Sequence, residues 1–354
     1  MTASFTNGNY VVTDGSSSCK FTITQKTLLI STANKEKTYD GSVYSGFTYN
    51  VTGLATTDTF EEVGTVVYKN TVLTAKNAGT YDIAFTITAG EKYNNYAIET
   101  VFGKLTINKK AITLTWESDT TFAYNGNAQG PKVSYVSGAV NDEDVLSTII
   151  YNDAEVNAGT YTRIAYLPEN SNYVITGGNE CSYKIETVDL VITINNQEKT
   201  YDGSKFTNFT VTSNGLKAND TLSEVVTLTY TGNAVNAIDA GTYTISATYV
   251  ENAKAKNYNI TIVNGTLTIN PKTVNLVWES DTTYEYDGTK KGPEVVSVSG
   301  VSSAESKEII DSLTYSGYSS SKGTHTATAT TSNGNYVLSN NTCEYTIVDS
   351  TSNK

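Results

Sequence analysis

The feature that most constrains this chain is a long repeat in which the same motifs return at one constant offset. The pentapeptide Lys-Thr-Tyr-Asp-Gly at 37–41 returns at 199–203, and Trp-Glu-Ser-Asp-Thr-Thr at 116–121 returns at 278–283. A long fixed period indicates tandem units that each pack mainly on their neighbours. An array of this kind is more often a spacer or a binding surface than a catalyst.

Each period divides into two modules of different type. Every module carries, in the same order, a Tyr-Asp/Asn-Gly triplet, an Ala-Gly-Thr-Tyr-like turn, an Asn-Tyr pair and a closing strand of alternating residues. The triplets begin at Tyr39, Tyr124, Tyr201 and Tyr286; the turns lie at 78–81, 158–161, 240–243 and, in degenerate form, 322–325; the pairs end at Tyr96, Tyr173, Tyr258 and Tyr336. The sequence therefore predicts four modules of about 80 residues.

The module boundaries follow from these motifs. We expect Y-type modules at 25–108 and 187–270 and W-type modules at 109–186 and 271–348. Residues 1–24 match the last strands of a W-type module, and residues 349–354 form a tail. We therefore expect the chain to be a piece of a longer array, with residues 1–24 as a partial module.

Charge and composition exclude several classes of function. The net charge is −12 and Arg163 is the only arginine, so the basic stripe that a nucleic-acid backbone requires is missing. No apolar run approaches the roughly 18 residues of a membrane-spanning helix. We expect neither a nucleic-acid partner nor membrane insertion of this segment, and the diffuse acidity favours solubility.

The local patterns predict a mainly β fold with one short helix in each module. Alternating strands and Asp-Gly or Asn-Gly turns dominate. A Ser or Thr followed three residues later by Glu is the spacing of a capping box at a helix start. Such pairs are Thr59/Glu62, Thr221/Glu224 and Ser302/Glu305, and 141–146 is the corresponding segment in the first W-type module.

A short helix laid on a twisted sheet predicts β-grasp-like modules. Tandem packing of four such units predicts an elongated rod of roughly 120–150 Å. A module with the two packed sheets of an immunoglobulin-like β-sandwich is the alternative.

The three cysteines, Cys19, Cys181 and Cys343, occupy one equivalent position in successive W-type modules. In the stretch 181–185 the Cys, Tyr and Ile residues fall on one face of a strand, because strand side chains alternate. We expect small buried packing residues there. No module has a second cysteine, so a disulfide within a module is excluded.

The order of motifs resembles that of the MBG/YDG-type repeat modules of bacterial cell-surface adhesins. In the second Y-type module the pattern is Tyr-Asp-Gly at 201–203, Gly-Leu at 215–216, Asp-Thr at 220–221, Ala-Gly-Thr-Tyr at 240–243, Asn-Tyr at 257–258 and Gly-Thr-Leu-Thr-Ile at 265–269. The W-type modules match more loosely. The resemblance implies an extracellular protein of the bacterial surface in which modules form long stalks, and it brings no catalytic residues.

The residues themselves give no enzyme signature. His325 is the only histidine and stands where the other modules have tyrosine, so it is interpreted as a substituted structural tyrosine. Without a second histidine, neither a Ser-His-Asp triad nor a Cys-His zinc set is available. We therefore predict no catalytic, cofactor-binding or metal-binding residues, and the sequence leaves any ligand-binding residues unidentified.

Calcium is the one ion that the sequence leaves open. Carboxylate clusters at Glu117/Asp119, Glu279/Asp281 and 141–144 lie where loop tips are expected, but no Asp-x-Asp-x-Asp-Gly loop is present. A solvated turn with acidic residues at a helix N-terminus is the competing interpretation.

Two functions remain. In the first, the repeats are a non-enzymatic stalk that presents a distal binding domain, and their partners are neighbouring repeats of the parent protein. In the second, the repeats themselves bind a host glycan, mucin or matrix protein weakly and many times over. The first is preferred because folding alone accounts for the repeated residues.

Overall fold

The computed structural model describes residue 9 and residues 20–140 and 143–349 of the 354-residue chain. These residues form 29 strands, four short α-helices and four 3-10 turns, which confirms the mainly β fold. The expectation for residues 1–24 lies outside the described residues, apart from residue 9 and residues 20–24. No helix in the described ranges combines the length and the apolar character needed to cross a membrane.

The range predicted as the first Y-type module contains eight short strands and two helices of one turn. The strands are β1 Lys26–Thr32, β2 Lys35–Thr38, β3 Tyr49–Thr52, β4 Gly64–Tyr68, β5 Gly79–Asp82, β6 Phe85–Ala89, β7 Tyr96–Val101 and β8 Lys104–Asn108. The helices are α1 Phe60–Val63 and α2 Asn70–Leu73, with a 3-10 turn at Tyr93–Asn95.

The first W-type module has seven strands. They are β9 Lys110–Trp116, β10 Thr121–Ala123, β11 Val133–Ser137, β12 Ile150–Tyr151, β13 Gly159–Tyr166, β14 Tyr173–Gly177 and β15 Glu180–Glu186, with a 3-10 turn at Leu146–Thr148.

The second Y-type module repeats the general plan of the first. Its strands are β16 Val188–Ile194, β17 Gln197–Thr200, β18 Val211–Asn214, β19 Val226–Thr231, β20 Gly241–Glu251, β21 Tyr258–Val263 and β22 Gly265–Asn270. Helix α3 is Leu222–Val225, and the 3-10 turns are Asn233–Asn236 and Ala255–Asn257.

The second W-type module carries the longest helix among the described residues. Its strands are β23 Lys272–Trp278, β24 Thr283–Glu285, β25 Val295–Ser299, β26 Leu313–Ser316, β27 Gly323–Thr331, β28 Tyr336–Ser339 and β29 Thr342–Val348, and helix α4 is Ser303–Asp311.

The strands of each module are divided between separate small sheets. In one sheet the first strand of the module lies between an antiparallel and a parallel neighbour, giving the orders β3-β1-β7, β11-β9-β14, β18-β16-β21 and β25-β23-β28. The last strand of the module is central in the other sheet: β2-β8-β5, β10-β15-β13-β12, β17-β22-β20-β19 and β24-β29-β27-β26. In the first Y-type module β4 and β6 form an additional pair. The division of strands between two sheets is typical of the β-sandwich alternative, whereas the short helix is typical of a β-grasp-like module.

Alternation along the strands forms the core. In β8 the Leu105 and Ile107 side chains are fully or nearly buried, and in β16 Leu190, Ile192 and Ile194 are buried in the same way. Burial of such side chains stabilises by roughly 1.5–3 kcal/mol each. Thr and Tyr at the outward positions suit a half-exposed pleated surface.

The predicted helix starts are found in three of the modules. The Thr59 backbone N–H donates to Glu62 Oε2 at 2.9 Å, and the Thr221 N–H donates to Glu224 Oε2 at 2.8 Å. The Ser302 hydroxyl accepts from the Glu305 N–H at 3.2 Å. These bonds satisfy amide groups that the first helical turn leaves without an intrahelical partner.

The first W-type module departs from the prediction. Residues 141 and 142 lie outside the described part of the chain, 143–145 are not helical, and the only helical turn described in this segment is the 3-10 turn at 146–148. The expectation of one helix per module was also too low for the Y type, where further helical turns lie at 70–73 and 93–95 and at 233–236 and 255–257. Isolated turns of this length depend on tertiary packing, so sequence signals place them poorly.

The cysteine prediction requires a correction. Cys181 and Cys343 share a strand face with buried Tyr and Ile residues, as predicted, but both thiols are only half-buried. Each lies at the second residue of its strand, where coverage by the core is incomplete. Desolvation still raises the thiol pKa of both residues, so they remain protonated packing residues. Cys19 lies outside the described residues.

The contacts of the chain divide it into two compact units. The first unit comprises residues 1–121, 129–155 and 160–184, and the second comprises residues 122–128, 156–159 and 185–354. In the first unit one apolar cluster contains residues of both predicted modules, including Leu105 and Ile107 with Ile112 and Leu114. In the second unit the corresponding clusters are separate and share Tyr201 at their margins.

Candidate functional site at the module junctions

A tyrosine hydroxyl donates to a carboxylate in every module. The tyrosine is that of the Asn-Tyr pair, and the carboxylate precedes or begins the helical segment. The bonds are Tyr96 to Asp58 at 2.6 Å, Tyr173 to Glu143 at 2.5 Å, Tyr258 to Asp220 at 2.6 Å and Tyr336 to Glu305 at 3.2 Å. We call the carboxylate, this tyrosine and the preceding asparagine of one module a socket.

The carboxylate of the second Y-type socket is nearly buried. The side chain of Asp220 is 5% exposed and forms an ion pair with Lys254 at 2.7 Å. Burial opposes ionisation, but hydrogen bonds from Lys254, Tyr258 and Tyr124 outweigh it and lower the pKa of Asp220. The group is therefore an ionised acceptor for several donors.

Within the second unit, a tyrosine of the preceding W-type module completes this socket. Tyr124, the tyrosine of the Tyr-Asn-Gly triplet, donates from its hydroxyl to Asp220 Oδ2 at 2.8 Å. Its ring meets the Tyr258 ring edge to face, with centroids 5.5 Å apart. Such a ring pair adds about 0.5–1.5 kcal/mol beyond the area that it buries. Tyr124 is 3% exposed, and burial together with the bond to Asp220 raises its pKa to about 12.

The first unit contains an equivalent junction. The Tyr39 hydroxyl donates to Glu143 Oε1 at 2.5 Å, while Tyr173 donates to the other carboxylate oxygen. The Tyr39 and Tyr173 rings also meet edge to face, at 5.5 Å. The hydrogen bond to Glu143, followed by burial, raises the pKa of Tyr39 to about 12. A triplet tyrosine thus reaches the socket of the following module in both units.

A second contact is found at three junctions, among them those of Tyr39 and Tyr124. The asparagine of the socket accepts a hydrogen bond from the backbone N–H of the Ala-Gly turn in the preceding module. The three bonds are Ala78 to Asn172 at 2.8 Å, Ala158 to Asn257 at 2.8 Å and Ala240 to Asn335 at 2.6 Å. The triplet and the turn therefore bind one socket together.

The junction that follows the second Y-type module is weaker. The Tyr201 ring meets the Tyr336 ring edge to face at 5.5 Å, yet the Tyr201 hydroxyl has no hydrogen-bond partner among the described residues. Glu305 belongs to helix α4 and accepts from Lys272 at 3.0 Å as well as from Tyr336. The carboxylate is therefore directed towards donors of its own module.

The Asp-Gly sequence shapes the triplet loop. Asp40 accepts from the Lys37 ammonium and from the Ser42 backbone N–H, and these bonds hold its pKa far below the usual range. Gly41 follows with φ +77°, a conformation that L side chains rarely adopt. The turn directly follows Tyr39, the tyrosine that binds Glu143.

The carboxylates considered for calcium are used in local hydrogen bonds. Asp119 and Asp281 each accept from the backbone N–H two residues on, and Glu117 accepts from the Lys132 N–H. Glu279 accepts from the Glu294 N–H, and in the segment 141–144 Glu143 serves the first junction. In the described part of the chain no group of three or more His, Cys, Asp and Glu side chains lies close enough to hold a metal ion.

His325 occupies the position of a structural tyrosine. Its Nε2 lies 2.7 Å from the Ser321 carbonyl oxygen, four residues earlier. The hydroxyls of Tyr81 and Tyr243 donate to the carbonyl four residues earlier in the same way, to Asn77 and Asp239. The sequence interpretation of this histidine is confirmed.

The sockets were not predicted from the sequence. The Tyr-Asp-Gly and Asn-Tyr motifs were interpreted as turn and core signals and the acidic residues as helix-start charges. The available signal was an acidic residue 30 to 38 positions before every Asn-Tyr tyrosine. That spacing became meaningful only when the fold brought the two ends together.

Comparisons with known proteins agree with the repeat pattern. The family model described as "MBG domain (YGX type)" matches residues 28–106 and 190–268. No curated protein matches the sequence. Similar solved structures include Drosophila N-cadherin EC1-4, at 9% identity and a TM-score of 0.23, covering 90% of this chain and 98% of that one. Another is the N-terminal eight Ig domains of Down Syndrome Cell Adhesion Molecule isoform 1.30.30, at 10% identity and a TM-score of 0.20, covering 90% and 49%. These TM-scores are too low to support an argument.

Proposed function

Because residues 28–106 and 190–268 match the family model of the MBG domain of the YGX type, we propose that this chain is the non-enzymatic repeat region of a bacterial surface adhesin. In this proposal it acts outside the cell as an extended spacer that presents a distal binding domain. The observation that carries the proposal is that the most regularly repeated motifs of the sequence join one module to the next.

Each junction that is closed in this way has two separated contacts. At the second socket Tyr124 binds Asp220, and the Ala158 backbone binds Asn257. Two contacts restrict both bending and rotation of one module against the next, whereas a single contact leaves a hinge. A flexible linker of Gly and Ser would do the opposite, and a spacer that holds a domain away from a surface benefits from stiffness.

The ionisable groups at the junctions support a structural role. The carboxylates Asp58 and Asp220 have lowered pKa values and accept from lysine and tyrosine, so neither is poised as a general acid or base near neutral pH. The single histidine, His325, contacts the carbonyl four residues earlier, as Tyr81 and Tyr243 do at the equivalent position.

Small-angle X-ray scattering tests the spacer directly. We expect the wild-type chain to have one dominant dimension, and the double variant Tyr124→Ala/Asn257→Ala to show a broader and shorter distance distribution because one junction becomes a hinge. Tyr135→Ala, which changes an exposed tyrosine of strand β11, is the control. A compact distribution for the wild-type chain would contradict the proposal.

A binding assay separates the spacer from the adhesive alternative. The chain is tested against mucins, glycans and matrix proteins, both as a monomer and displayed densely on beads. A spacer binds nothing in either form. Binding by beads but not by monomer would show that the modules are weak multivalent binders, and single-module variants would then locate the contact.

A further inference from the structure

Two of the junctions are built from the same residue types at equivalent positions but are bonded differently. Each consists of a triplet tyrosine, the lysine that opens the first strand of the next module, the socket glutamate and the socket tyrosine. These residues are Tyr39, Lys110, Glu143 and Tyr173 at one junction and Tyr201, Lys272, Glu305 and Tyr336 at the other. We call them the Tyr39 junction and the Tyr201 junction. Each lies within one compact unit.

The contacts that dock the triplet on the socket are the same at both junctions. The Tyr39 and Tyr173 rings meet edge to face with centroids 5.5 Å apart and an interplanar angle of 81°, and the Tyr201 and Tyr336 rings meet at 5.5 Å and 82°. The backbone N–H of the Ala-Gly turn donates to the socket asparagine at both, at 2.8 Å and 2.6 Å. The triplet tyrosine therefore has the same place beside the socket in each case.

At the Tyr39 junction the glutamate binds both tyrosines. Glu143 Oε1 accepts from Tyr39 and Oε2 accepts from Tyr173, each at 2.5 Å. The Lys110 ammonium donates to neither oxygen in the part of the chain that the structure describes. The carboxylate therefore joins the preceding module to its own.

At the Tyr201 junction a lysine has taken the place of the triplet tyrosine. Glu305 Oε1 accepts from Lys272 at 3.0 Å and from Tyr336 at 3.2 Å, and the Lys272 and Glu305 side chains are 28% and 25% exposed. The other oxygen of Glu305 and the Tyr201 hydroxyl have no hydrogen-bond partner among the described residues. The carboxylate is thus held by donors of its own module while an available tyrosine hydroxyl stands beside the socket.

We propose that the junction between a Y-type module and the following W-type module is a latch with two states, set by which donor the socket glutamate binds. In the closed state, found at Tyr39, the glutamate accepts a charge-assisted hydrogen bond from the triplet tyrosine of the preceding module. In the open state, found at Tyr201, it pairs with the first-strand lysine of its own module, and only the ring and backbone contacts join the modules. Because the rings are docked alike in both states, exchange requires a change of the glutamate side chain and no movement of a module. This inference does not depend on the proposed surface role.

The cost of removing the tyrosine hydroxyl measures whether the latch is closed. Tyr201→Phe is made in the wild-type chain, in Lys272→Met and in Lys272→Met/Glu305→Ala. Urea unfolding is followed by the fluorescence of Trp278, which lies in the apolar cluster beside Tyr201, with Trp116 replaced by Phe throughout. In the wild-type chain we expect Tyr201→Phe to change the folding equilibrium constant by less than about twofold. In Lys272→Met the freed carboxylate binds the tyrosine, so the loss should be about tenfold or more, and it should disappear again when Glu305 is also removed.

The Tyr39 junction provides the matched control. Tyr39→Phe should lower the folding equilibrium constant by about tenfold or more both with Lys110 and in Lys110→Met, because Glu143 already binds the tyrosine there. Trp116, which lies in the cluster that contains Tyr39, reports this junction once Trp278 is replaced by Phe.

Salt tests the latch with Lys272 in place and decides the question if Lys272→Met does not fold. Raising the ionic strength from about 0.01 M to about 1 M shortens the Debye length from about 30 Å to about 3 Å. This weakens the partly exposed ion pair between Lys272 and Glu305 more than a hydrogen bond from a neutral hydroxyl, so Tyr201→Phe should begin to lower the folding equilibrium constant as salt is added.

Two results of the lysine comparison would overturn the proposal. If Tyr201→Phe changes the folding equilibrium constant by less than about twofold in Lys272→Met, the lysine does not hold the latch open. If it costs as much in the wild-type chain as in Lys272→Met, the junction has one state only. Where salt has to decide, a cost of Tyr201→Phe that is the same at low and high ionic strength has the same meaning.

Discussion

The sockets at Asp58 and Asp220 are built from equivalent residues, yet among the described residues only Asp220 accepts a hydrogen bond from a tyrosine of another module. The side chain of Asp58 is 14% exposed and that of Asp220 is 5% exposed, because Tyr124 covers the second. Lys92 is the first cause of the lowered pKa of Asp58, whereas burial is the largest influence at Asp220 and opposes its ionisation. A module therefore makes its own socket, and the neighbouring module decides how deeply the carboxylate is buried.

The largest effect is expected from removing the tyrosine that fills a socket. Tyr124→Ala leaves a cavity against Tyr258 and removes a hydrogen bond to Asp220, and we expect a loss of about 3–5 kcal/mol in the free energy of unfolding. Tyr286→Ala, at the exposed triplet, should change it by less than about 0.5 kcal/mol. Urea unfolding followed by circular dichroism measures both, and equal losses would contradict the distinction between a triplet tyrosine bound in a socket and an exposed one.

The carboxylates give the next largest contrast. Asp220→Asn replaces a nearly buried charge that serves Lys254, Tyr258 and Tyr124, and we expect a loss of about 2–3 kcal/mol. Asp58 has the equivalents of only two of these partners, Lys92 and Tyr96, and its side chain is more exposed. We therefore expect Asp58→Asn to lower the free energy of unfolding by less than Asp220→Asn does. The same urea experiment compares them. A larger loss at Asp58 would show that the contact within the module, not the junction, dominates.

Glycine substitutions separate backbone strain from contact. Gly126 and Gly288 have nearly equal positive φ, so alanine at either position costs about 1–2 kcal/mol. A Cβ at Gly126 would stand 2.5 Å from the Ala218 Cβ, whereas nothing lies within 4 Å of one at Gly288. We expect Gly126→Ala to lose roughly 1–3 kcal/mol more. Thermal melts of the two variants side by side test this, and coincident melts would argue against close packing of the triplet on the socket.

Alkaline pH should weaken the filled junction. The pKa of Tyr124 is raised to about 12, so the folded state favours its protonated form. The Tyr124 hydroxyl therefore gives its full contribution to folding stability below about pH 10, the pKa of a free tyrosine. That contribution is lost as the pH rises to about 12. Between about pH 10 and about pH 12 we expect the free energy of unfolding to fall in both proteins. The fall should be roughly 1–2 kcal/mol smaller in Tyr124→Phe than in the wild-type chain. If the free energy of unfolding depended on pH in the same way in both proteins, deprotonation of Tyr124 would not weaken the junction.

The smallest effect is expected where a triplet tyrosine has no carboxylate. Tyr201→Phe removes a hydroxyl without a hydrogen-bond partner in the described ranges and should change stability by less than about 0.5 kcal/mol. Tyr124→Phe should cost about 1.5–3 kcal/mol near neutral pH, since its hydroxyl binds a charged group. Fluorescence of Trp278, which lies in the cluster beside Tyr201, reports the first variant locally. A large loss at Tyr201 would mean that the third junction is closed in solution by a bond to Glu305.

Much of the fold was predictable from local signals. The mainly β character and the capping boxes at Thr59 and Thr221 depend on neighbours in sequence, and the structure bears them out. In the first W-type module the helix was predicted at 141–146, whereas the described helical turn lies at 146–148. The additional turns of the Y-type modules were not predicted. Both errors arise because one turn of helix is stabilised by packing rather than by its own residues. The module boundaries remain a prediction.

By itself, the sequence determined which residues repeat and which local turns they make: the Tyr-Asp-Gly loop, the Asn-Tyr pair and the acidic residue before the helical turn. The tertiary structure alone decided that these three meet. Tyr39 and Glu143 are 104 residues apart, and Tyr124 and Asp220 are 96 apart, so no local propensity links them. It also decided that Tyr124 covers Asp220, whose side chain is therefore more deeply buried than that of the equivalent Asp58.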